Sequence, residues 1–361
     1  MQLFSLSDEE RAPAAATPPE DVVRAGVISY RIGGLSRAFR ERYPLLDRNQ
    51  SVLGLLWLLS SLALMICAAL FYARGALPAW ATIGVVAFAC SIAHEIEHDL
   101  IHGLYYAHAP RLRDTMLAVG WLMRPSTVNP WIRAALHLQH HRASGTPSDL
   151  EERSITLGEP WGIKRLLMTA DGFVAMFLRL PFSKPSVAWK VLRRSAVAYG
   201  PLAWLYHLCL LGFLYVHWRQ WQHALTLDME QLLPALDFLA VAWVLPNLLR
   251  TFCLHFVSSN IHYYGDVAEG DMLRQVQVID RWYFLPLQLF CCNFGSTHAI
   301  HHFWVSEPFY VRLLTAPAAR RVLRENGVRF NDLATFSRAN RYGAMRTRPS
   351  LALSLLPLAN R

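Results

Sequence analysis

Charge is what this chain of 361 residues is short of: 17% of it is Asp, Glu, Lys or Arg, against 53% hydrophobic residues. So apolar a profile argues against an ordinary soluble domain and for a protein in lipid. Cysteine is sparse too. Cys67, Cys90, Cys209, Cys253, Cys291 and Cys292 form no CxxC pair, which argues against a zinc knuckle or dithiol motif and leaves buried free thiols as the expectation. The first long apolar run starts only at Ser51, and Asp8, Glu9 and Glu10 precede it, so no secretory signal is expected. The formal charge of +9 comes without a basic stripe interleaved with aromatics, and no nucleic-acid partner is expected.

What is present is a set of uncharged runs. A bilayer core about 30 Å thick takes about 20 apolar helical residues, and segments 51–73, 77–97, 196–218 and 232–257 supply them, the last interrupted by Asp237, Pro246 and Arg250. The expected fold is therefore an all-α integral membrane protein, with four transmembrane helices as two hairpins and a cytoplasmic helical cap. Lys and Arg set the orientation. The first 50 residues hold 7, residues 94–195 hold 13 and residues 250–361 hold 13, leaving only Arg74 and Arg219 in the hairpin connections. Both termini are then cytoplasmic. Residues 1–50 read as an N-terminal tail, Pro/Ala-rich and partly disordered around ERAPAAATPPED. Residues 51–340 read as the membrane domain, and 341–361 as a C-terminal tail.

Nine of the 15 histidines fall in three clusters: HEIEHDLIH (His94, His98, His102), HLQHH (His137, His140, His141) and HAIHH (His298, His301, His302). On a helix, positions i, i+3 and i+4 share a face, so each HxxHH points three imidazoles one way. An even number of membrane crossings separates the clusters, so all three end on the same side. Imidazole suits iron, zinc, copper and nickel. A catalytic zinc takes about three protein ligands, so eight or nine convergent imidazoles match two metal ions better than one.

HxxxH, HxxHH and HxxHH in this order, around two helical hairpins, resemble the membrane fatty acid desaturase and hydroxylase superfamily. The resemblance extends to HHRASGTPSDLEER after the second box and NFGSTHAIHHFWVSEPFYVR around the third. It implies a histidine-held, non-haem diiron centre of two Fe ions. It also implies O2 as co-substrate and oxidation of a C–H bond in a fatty acid or fatty acyl chain within the lipid bilayer. Desaturation is the expected outcome, with hydroxylation or oxidative decarboxylation to a terminal alkene as alternatives. It further implies a ligand between the fourth span and the third box, where FVSSNIHYYGD offers His262, with His255 as fallback. The NxxxH form of acyl-CoA desaturases is absent, because Ser258 stands four residues before His262. No HPGG-type cytochrome b5 segment or rubredoxin-like CxxC pair occurs, so electrons are expected from a separate donor of ferredoxin, rubredoxin or cytochrome b5 type with its reductase. Arg142, Lys164, Arg165, Arg193 and Arg194 could dock that donor or an acidic head group, or serve as positive-inside anchors.

The first box holds two overlapping patterns. HEIEH matches H-E-x-x-H, the motif of a zinc protease using His94, Glu95 and His98, for which Asp237 is the only acid in the later spans. HDLIH matches the family's first box. Since about 20 residues of helix from Leu77 reach about Ile96, His98 and His102 are expected as ligands and His94 as a packing or supporting residue. Glu95, Glu97 and Asp99 are candidates to accept the free ring N–H of ligating histidines. A bis-histidine haem carrier would instead use His207 and His255. The expected metal set is His98, His102, His137, His140, His141, His262, His298, His301 and His302.

Overall fold

The run after Asn49 carries no charged side chain until Arg74, and backbone in hydrocarbon must satisfy its own hydrogen bonds, which a helix does. The computed structural model describes residues 17–146, 148–156, 158–179 and 185–343. Helix α1 (Pro19–Arg42) and the short α2 (Pro44–Arg48) lead into α3 (Gln50–Ala73), and α4 (Ala79–Ile101) folds back along it. Helix α3 leaves Leu56, Trp57, Leu59, Leu64 and Phe71 exposed, the pattern of a helix that lipid can cover. Helix α4 is the inner member of the pair, buried continuously from Ala89 to Leu100.

The middle of the chain is made of shorter helices: α5 (Pro110–Met123), α6 (Pro130–Ala143), α7 (Leu150–Thr156), α8 (Ile163–Ala170), α9 (Gly172–Arg179) and α10 (Pro185–Tyr199). Helix α11 (Leu202–Trp221) follows, and α12 (Leu227–Leu239), a π turn (Ala240–Val244) and α13 (Leu245–Ile261) form one long rod. The π turn has a local cause. In a regular helix the ring of Pro246 would meet the carbonyl of Ala242 and remove a hydrogen bond, and the wider turn absorbs both. Short α14 (Leu285–Leu289), α15 (Phe294–Phe303) and α16 (Phe309–Glu325) follow. Pairing outside helices is confined, among the described residues, to isolated bridges such as His262 with Val276.

Three helical units, Gln50–Ala73, Ala79–Ile101 and Leu227–Ile261, are long and apolar enough to cross a membrane. The expected third span, 196–218, is split. Gly200 and Pro201 break the helix, and Leu192–Tyr199 lies at 95° to Leu202–Trp221. The N-terminal tail also differs from expectation. Ile28 and Ile32, one turn apart, are buried among Val257, Ile300 and Leu323, so α1 packs against α13, α15 and α16. The tail expected to be disordered falls largely on residues 1–16, outside the described residues, as does the C-terminal tail beyond residue 343.

Candidate metal centre

Each histidine box sits on a helix whose end is fixed by local chemistry. Helix α4 closes with a Schellman motif: Leu104 N–H donates to Asp99 O and Gly103 N–H to Leu100 O, each at 3.0 Å. Gly103 takes the left-handed φ of 71° that this motif needs. His98 is thereby in the last turn and His102 is the C-cap. The second box lies on α6, whose N-cap Asn129 accepts from Trp131 N–H and whose first residue is Pro130, both favourable starts. The third lies on α15, where Gly295 lets α13 approach: a Cβ there would stand 2.9 Å from Val257 Cγ1. Gln288 Oε1 accepts Gly295 N–H at 2.9 Å and pins the helix start.

These helices gather the nine expected histidines into two groups, His98, His102, His137, His141 and His301 in one, and His140, His262, His298 and His302 in the other. In the first, four Nε2 atoms close a ring, with His102 to His137 at 2.9 Å, His137 to His141 at 3.2 Å, His141 to His301 at 3.0 Å and His301 to His102 at 3.0 Å. A neutral ring nitrogen either donates or accepts, so at most about two of four contacts in a closed ring can be hydrogen bonds. Nitrogens about 2.1 Å from one ion and at right angles to each other stand about 3.0 Å apart, which is the spacing seen. His98 joins this group with both ring nitrogens buried and without a hydrogen-bond partner. In the second group His302 Nε2 lies 3.1 Å from His298 Nε2 and 3.3 Å from His140 Nε2, and His262 Nε2 is buried without a partner. The groups abut, with the His141 and His302 rings 5.0 Å apart. Donor type, spacing and orphaned nitrogens all fit two metal ions.

Carboxylates orient several of these rings. His137 Nδ1–H donates to Glu151 at 2.7 Å and His140 Nδ1–H to Asp149 at 2.8 Å, while His262 Nδ1 lies 3.1 Å from Glu152. Each leaves an Nε2 lone pair for the centre, the arrangement that outer carboxylates give to metal-bound imidazoles. Burial holds His298, His301 and His302 well below the usual histidine range, the neutral form a metal needs. At His140 burial acts the same way, but the Asp149 carboxylate outweighs it and raises the ring to about 9. Burial would raise Glu151, yet His137 and Arg133 outweigh it and hold it well below the usual carboxylate range.

Asp149, Glu151 and Glu152 correct the sequence reading, which gave the outer role to Glu95, Glu97 and Asp99. Glu97 and Asp99 adjoin His98 in sequence and so point about 100° away from it, and Glu95, one turn earlier, is drawn aside by an arginine. Glu95 pairs with Arg312 at 2.5 Å, and Glu97 pairs with Arg124 and with Arg133, the latter at 2.5 Å. Asp99 accepts from Tyr105 Oη at 2.7 Å and Phe309 N–H at 2.9 Å, and its carboxylate stays 3.7 Å from His98 Nδ1. They tie α4 to its neighbours instead of orienting the clustered histidines. The signal for the true partners was present: three carboxylates in the four residues DLEE, just after the second box.

His94 stands outside both groups, its Nδ1 accepting from Arg124 Nη1 at 3.2 Å. With Glu95 held by Arg312 and Asp237 paired to His217 at 2.8 Å, the protease constellation is not assembled. His207 bonds Asp171 and the Ala203 carbonyl, which leaves it no free nitrogen for a haem. Arg165 cannot dock a partner: it is buried and donates to the carbonyls of Glu159, Phe336 and Ser259. Arg142, Arg193 and Arg194 are exposed, and Lys164 pairs with Glu159 at 2.8 Å.

A cavity of about 110 Å³ reaches both groups, touching His98 and His137 of one and His140 and His298 of the other. A second, apolar cavity of about 710 Å³, lined by Trp57, Phe88, Ile92, Leu289 and Leu313 among others, touches no histidine.

Comparison with known proteins agrees with this geometry. No curated protein matches the chain, but the profile of the fatty acid desaturase family matches residues 74–334. That stretch is well over half of the chain and contains every histidine of both groups; the protein belongs to the fatty acid desaturase family.

Proposed function

We propose that the protein is a membrane diiron oxidase that uses O2 to remove hydrogen from an unactivated C–H bond of a fatty acid or fatty acyl chain. His98, His102, His137, His141 and His301 would hold one iron, and His140, His262, His298 and His302 the other. The observation that carries the reading is the pair of nitrogen groups opening on one cavity. Two irons bound there supply the oxidising power for the C–H bond. For desaturation the balance is two protons and two electrons from the chain as its two C–H bonds break, two protons and two electrons from the donor side, and one O2 reduced to two waters.

The chain's own residues do the rest. Glu151, Asp149 and Glu152 keep the ring protons of His137, His140 and His262 on Nδ1, so that Nε2 faces the centre. Leu136, Ile155, Leu254 and Phe294 give the cavity apolar walls, which exclude water and hold a hydrocarbon against the reactive side. In the membrane, the bent Leu192–Trp221 pair supplies the fourth span. The distribution of basic residues supports a cytoplasmic cap and cytoplasmic termini, within reach of a separate electron-donor protein.

The test is metal and product analysis of the purified protein supplied with donor, O2 and isotopically labelled fatty acids. Two irons per chain and an oxidised chain are expected. Zinc in place of iron, or a Soret band, would sink the reading.

A further inference from the structure

Four arginines are among the largest fully buried side chains: Arg124, Arg165, Arg250 and Arg312. Arg124 has Glu97, Arg312 has Glu95, and Arg165 has three carbonyls and the Asn340 side chain. Arg250 is the exception. It is 1% exposed and, among the described residues, pairs with no carboxylate and no carbonyl, and its Nε, like those of Arg165 and Arg312, is buried without a partner. Its Nη2 donates to Thr251 Oγ1 at 2.9 Å, and Thr251 Oγ1 is 3.2 Å from Ser126 Oγ. Glu97 is already shared by Arg124 and Arg133. A guanidinium on a membrane-spanning rod with no counter-charge is costly, and a residue of that kind marks a site that receives a partner.

Arg250, Thr251 and Ser126 line the same 110 Å³ cavity as His98, His137, His140 and His298. His255 lines it too, its Nδ1 buried and unpartnered. We infer that this wall is a carboxylate-binding subsite, and that the substrate is a free fatty acid bound with its carboxyl group on Arg250. The guanidinium fork matches a carboxylate, and two hydroxyls stand beside it. The cavity is small against the about 300–1,000 Å³ of most ligand pockets. It has room for a carboxyl group and its first carbons but not for a bulky carrier head group. Glu151 and Glu152 also border it. They are tied to His137 and Arg133 and to His262 and Ser258, and they disfavour a phosphate dianion more than a single negative charge. The carbons next to the carboxyl group then lie beside the metal groups. This inference rests on the proposed oxidase reading for its chemistry but not for its binding.

The experiment measures equilibrium binding of dodecanoic acid, methyl dodecanoate and dodecyl phosphate to the full-length, iron-loaded protein, wild type and variants. The wild type should bind the acid at least tenfold more tightly than the ester or the phosphate. R250Q should lose at least tenfold for the acid and leave the ester unchanged, and R250K should recover part of the loss, with iron content constant throughout. Turnover should oxidise carbons adjacent to the carboxyl group. Equal affinity for acid and ester in the wild type, tighter phosphate binding, or mid-chain products would overturn the subsite, and none of these needs R250Q to fold. Acid selectivity in a protein without iron would sink the oxidase reading alone.

Discussion

The two nitrogen groups are built from the same boxes in opposite ways. The second box gives its i, i+4 pair, His137 and His141, to the first group and the intervening His140 to the second. The third box does the reverse, giving His298 and His302 to the second group and His301 to the first. Each HxxHH therefore spans both centres, and three imidazoles on one face are shared because adjacent positions i+3 and i+4 diverge by about a third of a turn. The groups differ in what is added. The first gains His98 and His102 from α4, and the second only His262, where α13 ends.

Because each box supplies both centres, a lesion in either box should disable the site. His141→Ala and His302→Ala should each abolish turnover, with a loss well beyond the about 10–100-fold typical of outer partners. Each should also lower bound iron, read by metal analysis beside product formation. His140→Ala and His301→Ala should behave alike. A variant that kept full iron and full turnover would remove its residue from the ligand set.

The unequal additions give a second test. His262→Ala leaves the second group three imidazoles, whereas His98→Ala or His102→Ala leaves the first group four. All three should lose activity. Iron should fall furthest in His262→Ala, and an equal fall in all three would mean that the two centres do not hold metal independently.

A smaller effect is expected one layer out. Glu151→Gln replaces the charged acceptor of the His137 ring proton with a neutral amide and should weaken metal binding by about 10–100-fold without removing a ligand. Asp149→Asn should do the same at the second centre through His140. Chelator titration of the variants checks this. Unchanged iron retention in both would reduce these carboxylates to salt-bridge partners.

This layer also marks where the sequence stopped being legible. The boxes could be read because a helix has a fixed period, which puts His137, His140 and His141 on one face whatever surrounds them. The Schellman turn at Gly103 and the Asn129 cap are local, so box-bearing helices were within reach of the sequence as well. The division of each box between two centres was not, since it depends on how α4, α6, α13 and α15 cross. The same holds for the acids. Glu95, Glu97 and Asp99 are next to histidines in sequence, but their partners Arg312, Arg124 and Tyr105 come from elsewhere. Arg250 looked like a mere interruption of an apolar run, and only the fold shows that, among the described residues, the carboxylates near it are engaged by other partners. The break at Gly200 and Pro201 was visible as residues, but its 95° bend was not.

The smallest effect is expected at His94, the histidine that the first box offers and neither group takes. Its ring accepts from Arg124 and packs edge-on to Phe294. His94→Ala should therefore cost about 1–3 kcal/mol of stability, as loss of a buried polar contact does, and leave iron at the wild-type level. Part of the activity should remain, because Phe294 loses support on the cavity wall while every metal-facing nitrogen keeps its place. The contrast is with His98→Ala, one turn further along the same helix, where stability counts for little and turnover should vanish. If His94→Ala proved as iron-poor and as inactive as His98→Ala, the first box would contribute three imidazoles in place of two, and the five-histidine group would have to be redrawn around α4.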